Sequence, residues 1–235
     1  MGPHSIRRVY VWQLPVRFYH WINAVCIVTL ALTGYFIGSP LTWTSHVHPE
    51  ASFGYWFGII RFIHFVAAFV FFYNFLFRLY WGFVGNKYSD WRNFILYKKE
   101  QFQEAKDVLR VDILQAMHKP LPSIGHNSLA GFTYFLTFLM FLFQAITGFG
   151  MYAAMSKHLL PQMFAWVVPL MGGDFGVRQW HHMFMWFFVI FSMIHVYLVF
   201  YHDYVEGRGV TSSMVGGWKF VEREHGGATR QSSQD

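Results

Sequence analysis

The chain has 235 residues, of which 54% are hydrophobic, 22% aromatic and only 13% charged. Soluble domains carry about a quarter charged residues, so this composition excludes an ordinary soluble protein and indicates one that spans a lipid bilayer. The formal charge of +6 does not indicate a nucleic-acid partner, because most basic residues lie beside long apolar runs, as at a cytoplasmic membrane surface.

Four apolar stretches are long enough to cross a bilayer, whose hydrocarbon core of about 30 Å needs roughly 20 helical residues. They cover residues 20–38, 54–84, 128–154 and 181–203. The second exceeds the bilayer thickness and is expected to tilt or to project. The first lacks a cleavage site of the A-x-A kind, so we expect it to remain in place. We predict an all-α integral membrane protein, a four-helix transmembrane bundle forming one domain over residues 1–235.

Three further segments have a distinct character. Residues 99–117 place apolar side chains at helical spacing among charges, which predicts an amphipathic helix on the cytoplasmic side. The apolar segment Leu159–Met171 is interrupted by prolines and too short to cross, so we expect it to be half-buried on the outer face. The tail from Glu222 onward is polar and is predicted to be disordered.

The basic residues predict the orientation of the spans. The N-terminal segment, the connection between the second and third spans, and the C-terminal segment are rich in lysine and arginine, whereas the other side offers only Lys157 in its loops. By the positive-inside rule both termini are expected to be cytoplasmic.

The only cysteine, Cys26, lies within the first span. One cysteine excludes an intrachain disulfide, and also an iron–sulfur cluster or cysteine-ligated zinc site formed by this chain alone. We interpret it as a small core residue.

Histidines are the residues most indicative of chemistry, because ionisable side chains within spans are costly and usually functional. His181 and His195 are 14 residues apart. That spacing turns a helix by about 1,400° and advances it by roughly 21 Å, so both imidazoles share a face near opposite membrane surfaces. His182 falls on another side of the helix and is left out of the predicted ligands. The alternative is a structural role, because a single histidine on an apolar helix is more often a hydrogen-bonded core residue than a metal ligand.

Depth in the membrane pairs the histidines across spans. His20 and His195 both lie towards the cytoplasm, and His64 and His181 both lie towards the outside. Two imidazoles facing each other across a helical bundle can hold a haem b without a covalent Cys-x-x-Cys-His attachment. The sequence therefore predicts two haems b, with these four histidines as axial ligands.

An arginine precedes three of these histidines by one helical turn, on the side of the nearer membrane surface. Guanidinium groups pair well with carboxylates, so these arginines are candidates for binding haem propionates. The alternative is that they only anchor helix ends at the membrane interface. The three sequences are Arg17-Phe-Tyr-His20, Arg61-Phe-Ile-His64 and Arg178-Gln-Trp-His181.

Three further residues are candidates for contact with haem. Gly34 and Gly148 each end an Ala-x-Thr-Gly sequence near the outer end of a span. The missing side chains would let a flat macrocycle approach the backbone, although ordinary helix packing explains them equally well. Arg78 lies 14 residues after His64, hence on its face near the cytoplasm. It could serve the inner haem, or its side chain could simply reach to the interface.

Several motifs together resemble the b-type cytochrome subunit of membrane-bound nickel–iron hydrogenases. The similarity extends from about residue 9 to residue 215, and the family's four haem-binding histidines fall on His20, His64, His181 and His195. The opening motif alone is shared with formate dehydrogenase cytochromes, whereas the Gly-Asn-x-Tyr-Ser and Ile-Gly-His-Asn stretches favour the hydrogenase subfamily. The motifs are Pro15-Val-Arg-Phe-Tyr-His20-Trp, Thr33-Gly-Tyr-Phe-Ile-Gly38, Arg61-Phe-Ile-His64-Phe, Gly85-Asn-Lys-Tyr-Ser89, Ile124-Gly-His-Asn127, Trp180-His181 and His195-Val-Tyr.

The resemblance implies a respiratory role in the cytoplasmic (inner) membrane of a bacterium. The chain would not be an enzyme by itself, but would pass electrons from hydrogenase small (iron–sulfur) and large (nickel–iron) subunits through two haems b to a quinone. One alternative is the same fold serving another dehydrogenase, such as formate dehydrogenase. Others are a haem-free membrane anchor and a freestanding ferric reductase or superoxide oxidase.

Two surfaces follow from this role. The connections 39–53 and 155–177 lie on the predicted outer side and are expected to dock the hydrogenase. His126 and Asn127, where the cytoplasmic connection meets the third span, are candidates for a quinone site, since imidazole can donate a hydrogen bond or relay a proton. Asn127 is equally suited to N-capping the helix that follows.

Overall fold

The computed structural model describes residues 6–39, 51–94, 103, 128–206 and 209–222. Four long helices dominate this part of the chain: α1 (Leu14–Gly38), α2 (Ala51–Val84), α3 (Ser128–Tyr152) and α6 (Asp174–Glu206). Short helices α4 (Leu159–Gln162) and α5 (Val167–Leu170) lie between α3 and α6, and α7 (Val210–Gly216) follows α6. Strands β1 (Ile6–Tyr10) and β2 (Trp218–Glu222) lie at the two ends of the described chain, and a 3-10 turn covers Trp91–Phe94.

The four long helices confirm the four predicted spans. Each contains a stretch long and apolar enough to cross a bilayer: Leu14–Gly38, Tyr55–Val84, Ala130–Tyr152 and Asp174–Tyr201. Large apolar side chains point outwards from them, including Val25, Leu136 and Met193, as expected for surfaces that contact lipid. The chain is therefore a multi-pass membrane protein with an all-α membrane domain.

Helices α1 and α6 begin earlier than the apolar stretches predicted. Pro15 lies in the first turn of α1, where its missing N–H costs no hydrogen bond. Asp174 opens α6, where a carboxylate interacts favourably with the helix dipole, and it accepts a 2.6 Å hydrogen bond from Arg178 one turn later. These first turns lengthen each helix beyond the apolar stretch that was predicted from the sequence.

Phenylalanines fill the centre of the bundle, where α1 packs on α2 and α6, and α3 packs on α6. Phe75, Phe141 and Phe188, from three different helices, are each at most 8% exposed. The rings of Phe75 and Phe141 stack with centroids 4.0 Å apart. Cys26 is also buried, as predicted.

A polar contact in the membrane region joins α1 to α2. The buried Asn74 amide donates to the Tyr19 carbonyl at 3.0 Å and to Asn23 Oδ1 at 2.7 Å. Such groups must be satisfied within the protein, because the hydrocarbon core holds no water. The contact therefore helps to determine how α1 packs against α2.

The two ends of the described chain meet on one side of the bundle, which we call the termini side. Strands β1 and β2 pair antiparallel, with Tyr10 opposite Trp218. Trp12 Nε1 donates to Ser213 Oγ at 3.1 Å, and Asn86 Nδ2 donates to the Val11 carbonyl at 3.0 Å. Neither this sheet nor α7 was predicted from the sequence. Both are short, and the pairing joins residues more than two hundred positions apart.

Parts of the predicted organisation lie outside the described residues. These are residues 99–117, apart from the helical Gln103, and the tail beyond Glu222, which is itself the last residue of β2.

The segment between α3 and α6 packs on the side opposite the termini. We call residues 155–177 the ledge. Pro161 and Val167 are buried, whereas Leu159 and Leu170 are 78% and 72% exposed, in agreement with the predicted half-buried segment. The ledge approaches α3 closely at Gly150, where an added Cβ would lie 2.9 Å from the Phe164 carbonyl oxygen and would also meet Val167.

We predict that Gly150→Ala destabilises the protein by about 1–3 kcal/mol, the usual cost of overpacking. Gly58→Ala is the matched control, because an added Cβ there meets nothing within 4 Å. That variant is expected to gain up to about 1 kcal/mol from helix propensity. Thermal unfolding in detergent measures both, and equal stability of the two variants would contradict the close packing of the ledge on α3.

Candidate haem-binding sites

A cavity of about 1020 Å³ opens between α1, α2, α3 and α6 on the side opposite the termini. We call it the large cavity. Its volume is at the upper end of the roughly 300–1,000 Å³ typical of cofactor pockets. Six of the residues predicted from sequence line it: Gly34, Arg61, His64, Gly148, Arg178 and His181.

Helix α1 orients His64 of α2. Thr33 Oγ1 lies 2.8 Å from His64 Nδ1 and 2.7 Å from the Thr29 carbonyl oxygen, one turn earlier in α1. Thr33 is 8% exposed, so this contact is sheltered inside the bundle. The second ring nitrogen of His64, Nε2, is not part of this contact.

Helix α3 orients His181 of α6 in the same way. Thr147 Oγ1 lies 2.8 Å from His181 Nδ1 and 2.8 Å from the Phe143 carbonyl oxygen. Gln144, one turn before Gly148, donates through Nε2 to the His181 backbone carbonyl at 3.0 Å. Helix α3 thus contacts both the ring and the backbone of His181.

The glycine after each threonine lets the imidazole approach the helix. A Cβ added at Gly148 would lie 3.2 Å from His181 Cε1, and one added at Gly34 would lie 3.4 Å from His64 Cε1. Both glycines also line the large cavity. A side chain at position 148 would press on the His181 ring, whereas one at position 34 would touch the His64 ring and press on Met185 Sδ, 3.3 Å from the added Cβ.

These residues fit a haem. Imidazole is a common iron ligand, and one that binds a metal through Nε2 usually donates from Nδ1 to a neighbouring oxygen. His64 and His181 on two walls of one apolar cavity meet this requirement, since the threonine oxygens engage both Nδ1 atoms.

The two arginines of the large cavity lie near its open end. Arg61 Nη2 contacts Met155 Sδ at 2.8 Å, and Arg178 pairs with Asp174 while its side chain remains 60% exposed. Neither is buried, so both guanidinium groups can turn to meet the carboxylates of a bound cofactor.

A second pair of histidines lies towards the termini side. The rings of His20 on α1 and His195 on α6 have centroids 6.3 Å apart and planes inclined at 53°. A metal–imidazole bond of about 2 Å puts the centroids of two imidazoles on opposite sides of one metal ion roughly 6 Å apart. The observed separation fits a shared iron. His20 Nδ1 is buried and has no hydrogen-bond partner among the described residues.

The chain's C-terminal segment contacts the residues around His20. Arg17 donates through Nη1 to the Val215 carbonyl, while its Nε is buried with no hydrogen-bond partner in the described part of the chain. Trp21 Nε1 donates to the Met214 carbonyl at 3.1 Å. Backbone carbonyls of helix α7 therefore accept hydrogen bonds from both Arg17 and Trp21, which lie before and after His20 in α1.

Arg78 is buried beside Tyr19, the residue before His20. Its guanidinium lies 5.9 Å from the centre of the Tyr19 ring and 5.3 Å from that of Tyr134. Both terminal nitrogens donate to the Ser89 carbonyl at 3.3 Å. Arg78 thus ties the Gly-Asn-x-Tyr-Ser turn to the bundle, and its predicted contact with the inner haem stays a prediction.

His182 also lines the large cavity, although it was left out of the predicted ligands. Its ring lies against Gly38 of α1, where an added Cβ would be 2.6 Å from His182 Cε1. The two adjacent histidines therefore contact different helices: His181 contacts α3 and His182 contacts α1. His126 and Asn127 lie outside the described residues.

Sequence reasoning missed the threonines that orient the histidines. The repeated Ala-x-Thr-Gly sequence was noticed for its glycines, and the same repeat contains Thr33 and Thr147. Gln144 and Asn74 were missed as well. Their polarity inside apolar stretches was an available indication, because unpaired amides are costly in a membrane.

Comparison with known proteins gives a consistent match over most of the chain. Residues 11–217 match the family described as prokaryotic cytochrome b561. A protein of Cupriavidus necator is 41% identical over 92% of this chain and 88% of its own length, and one of Azotobacter vinelandii is 38% identical over 94% and 93%. Both carry the name "Probable Ni/Fe-hydrogenase B-type cytochrome subunit". A protein of Escherichia coli K12 with the corresponding hydrogenase 1 name is 37% identical over 89% of this chain and 90% of its own.

We predict that His181→Ala abolishes haem binding at the large cavity, while His182→Ala retains it. The physical reason is that Thr147 orients the His181 ring, whereas His182 packs against α1. Haem per polypeptide in purified protein measures the effect. Equal haem loss in the two variants would mean that the neighbouring histidine had been assigned wrongly.

Proposed function

Because the chain belongs to the prokaryotic cytochrome b561 family, we propose that it is the di-haem cytochrome b subunit of a respiratory nickel–iron hydrogenase. The observation that carries the proposal is that His64 and His181 line one cavity at one end of the bundle, while the rings of His20 and His195 lie close together at the other. The names of the relatives, at 37–41% identity, support the hydrogenase as partner.

Haem b supplies one-electron oxidation and reduction of its iron, so two of them would carry electrons from hydrogen oxidation outside the membrane to the quinone pool. The chain's own residues hold, orient and insulate these groups. His64 and His181 would ligate the outer haem, and His20 and His195 the inner haem. Arg61 and Arg178 at the open end of the large cavity would bind propionates of the outer haem, and Arg17 those of the inner haem.

An apolar layer separates the two sites. Phe188 lies on α6 seven residues from both His181 and His195. It packs with Phe75 and Phe141 in the centre of the bundle, and both Phe141 and Phe188 also line the large cavity. A hydrocarbon layer excludes water and keeps the local dielectric constant low, which affects the redox potential of nearby metal groups. Such a layer favours transfer of electrons without protons between the two ends.

The proposed orientation puts the large cavity at the outer face. β1 and β2 bring both described ends of the chain to the termini side, and the basic residues of the sequence favour the cytoplasm for that side. The hydrogenase would then meet the ledge, next to the large cavity, and quinone would be reduced nearer to His20 and His195.

The ledge has the properties of a docking surface for another protein. Leu159, Leu170 and Phe175 are between 72% and 78% exposed, and Met155, Phe175 and Arg178 join the ledge to the lining of the large cavity. Exposed apolar side chains beside a functional site are typical of a protein interface, and contact with lipid is the alternative explanation. The other predicted docking segment, 39–53, lies largely outside the described residues.

The proposal is tested with Leu159→Arg and Leu170→Arg, which place charges in the predicted interface. We expect both to reduce co-purification of the hydrogenase small subunit at least tenfold, with haem content unchanged. Val215→Arg is the matched control, because Val215 is similarly exposed at 66% but lies in α7 on the termini side.

Three outcomes would contradict the proposal. Loss of the hydrogenase from the Val215→Arg variant alone would put the docking face on the other side. Co-purification with a formate dehydrogenase instead would assign the chain to that enzyme. If the reduced-minus-oxidised spectrum showed no b-type absorbance change, the chain would be a haem-free membrane anchor.

For the quinone site we propose His126 and Asn127, which the chain places at the start of α3. An imidazole there could donate a hydrogen bond to a quinone carbonyl or relay a proton from the cytoplasm. The competing explanation is that Asn127 only caps α3 and His126 only lies at the interface.

We predict that His126→Ala in the assembled complex lowers quinone affinity about tenfold or more, at unchanged haem content. The quinone affinity is measured from the rate of hydrogen-dependent quinone reduction at several quinone concentrations. Normal affinity in this variant would make His126 structural and move the quinone site elsewhere.

A further inference from the structure

We infer that Thr33 and Thr147 are positioning residues that hold His64 and His181 in one tautomer, in which Nδ1–H donates a hydrogen bond to the threonine oxygen and Nε2 is free to bind iron. The inference rests on the proposed function, since haem iron is the group that Nε2 would meet. The Thr33-Gly34 and Thr147-Gly148 pairs would therefore help the histidines to ligate the outer haem and would influence its redox potential.

The direction of the hydrogen bonds follows from the neighbours of each hydroxyl. Thr33 Oγ1 lies 2.7 Å from the Thr29 carbonyl oxygen, and Thr147 Oγ1 lies 2.8 Å from that of Phe143. A carbonyl only accepts, so at these distances each hydroxyl donates its single proton to the carbonyl. The hydroxyl oxygen is then the acceptor in its 2.8 Å contact with the histidine. Nδ1 must therefore carry the imidazole proton, which leaves the lone pair on Nε2.

The same device occurs twice, in two separate pairs of helices. α1 supplies Thr33 and Gly34 to a histidine of α2, and α3 supplies Thr147 and Gly148 to a histidine of α6. In each case the threonine bonds the ring and the next residue is a glycine, at which an added Cβ would lie 3.4 Å from His64 Cε1 or 3.2 Å from His181 Cε1. Because the same contacts come from different helices, we interpret them as serving to orient the histidine ring rather than to pack the helices.

The two histidine pairs differ in this respect. His20 Nδ1 has no hydrogen-bond partner among the described residues, whereas both histidines of the large cavity have one. An acceptor at Nδ1 makes Nε2 a more basic ligand. A more basic ligand stabilises the more positive, oxidised iron and so lowers its reduction potential. The threonines are therefore expected to lower the potential of the outer haem relative to a site without them.

The test uses the complete complex and three kinds of variant. Thr33→Val and Thr147→Val remove the hydroxyl and keep the shape, and Thr33→Ser and Thr147→Ser restore the hydroxyl. Thr137→Val is the control, because Thr137 bonds a carbonyl of its own helix, that of Tyr134, at 2.8 Å, and no histidine contact is recorded for it in the described structure. Haem per polypeptide and a redox titration followed at the b-type absorbance bands are the two measurements.

We expect each valine variant to shift one of the two haem potentials upward or to lose about half of the haem, while the serine and Thr137→Val variants match the wild type. Unchanged haem content and potentials in the valine variants would overturn the inference. Equal losses in valine and serine variants, or in Thr137→Val, would also overturn it, because the hydroxyl would not be the cause. Failure of the proposed function is distinct, since the wild-type protein would then lack b haem altogether or would co-purify with a different dehydrogenase.

Discussion

The hydrocarbon core of a membrane holds no water that could hydrogen-bond to a histidine ring. Each ring nitrogen there therefore needs a hydrogen-bond partner in the protein or a contact with a bound group. His64 and His181 meet this constraint through threonines of neighbouring helices. Each contact joins two helices that are consecutive among the four long ones, α1 with α2 and α3 with α6. The amide of Asn74, bonded to Asn23, meets the same constraint between α1 and α2. The same few hydrogen bonds thus orient the histidines and join neighbouring helices of the bundle.

The two ends of the bundle are built from different parts of the chain. The ledge borders the large cavity, with its apolar side chains exposed and a close contact to α3 at Gly150. On the termini side, α7 contacts Arg17 and Trp21, which flank His20, and the β1–β2 pair fastens α7 to the start of α1. This asymmetry is compatible with the proposed relay, in which a protein would dock at the ledge and a quinone would bind nearer to the termini side.

Much of the fold could be predicted because hydropathy depends on composition over a window, and all four spans were found in this way. The spacing of His181 and His195 was equally informative, because helical periodicity is local. Helices α1 and α6 begin before the predicted apolar stretches, and Pro15 and Asp174 lie in the first turns that hydropathy does not mark. The roles of Thr33, Gln144 and Asn74 needed the structure, because a polar residue in a span does not reveal which neighbouring helix it bonds.

The sequence by itself determined the class of protein and the four spans, because these depend on composition along each helix, and it predicted which histidines would bind haem. Only the tertiary structure decided which ring nitrogen of His64 and His181 is bonded, which neighbour His182 contacts and how the chain ends meet. The reason is that these features join residues of different helices. Thr33 is 31 positions from His64, and Trp12 is 201 positions from Ser213. Contacts of that kind leave no periodic trace along the chain.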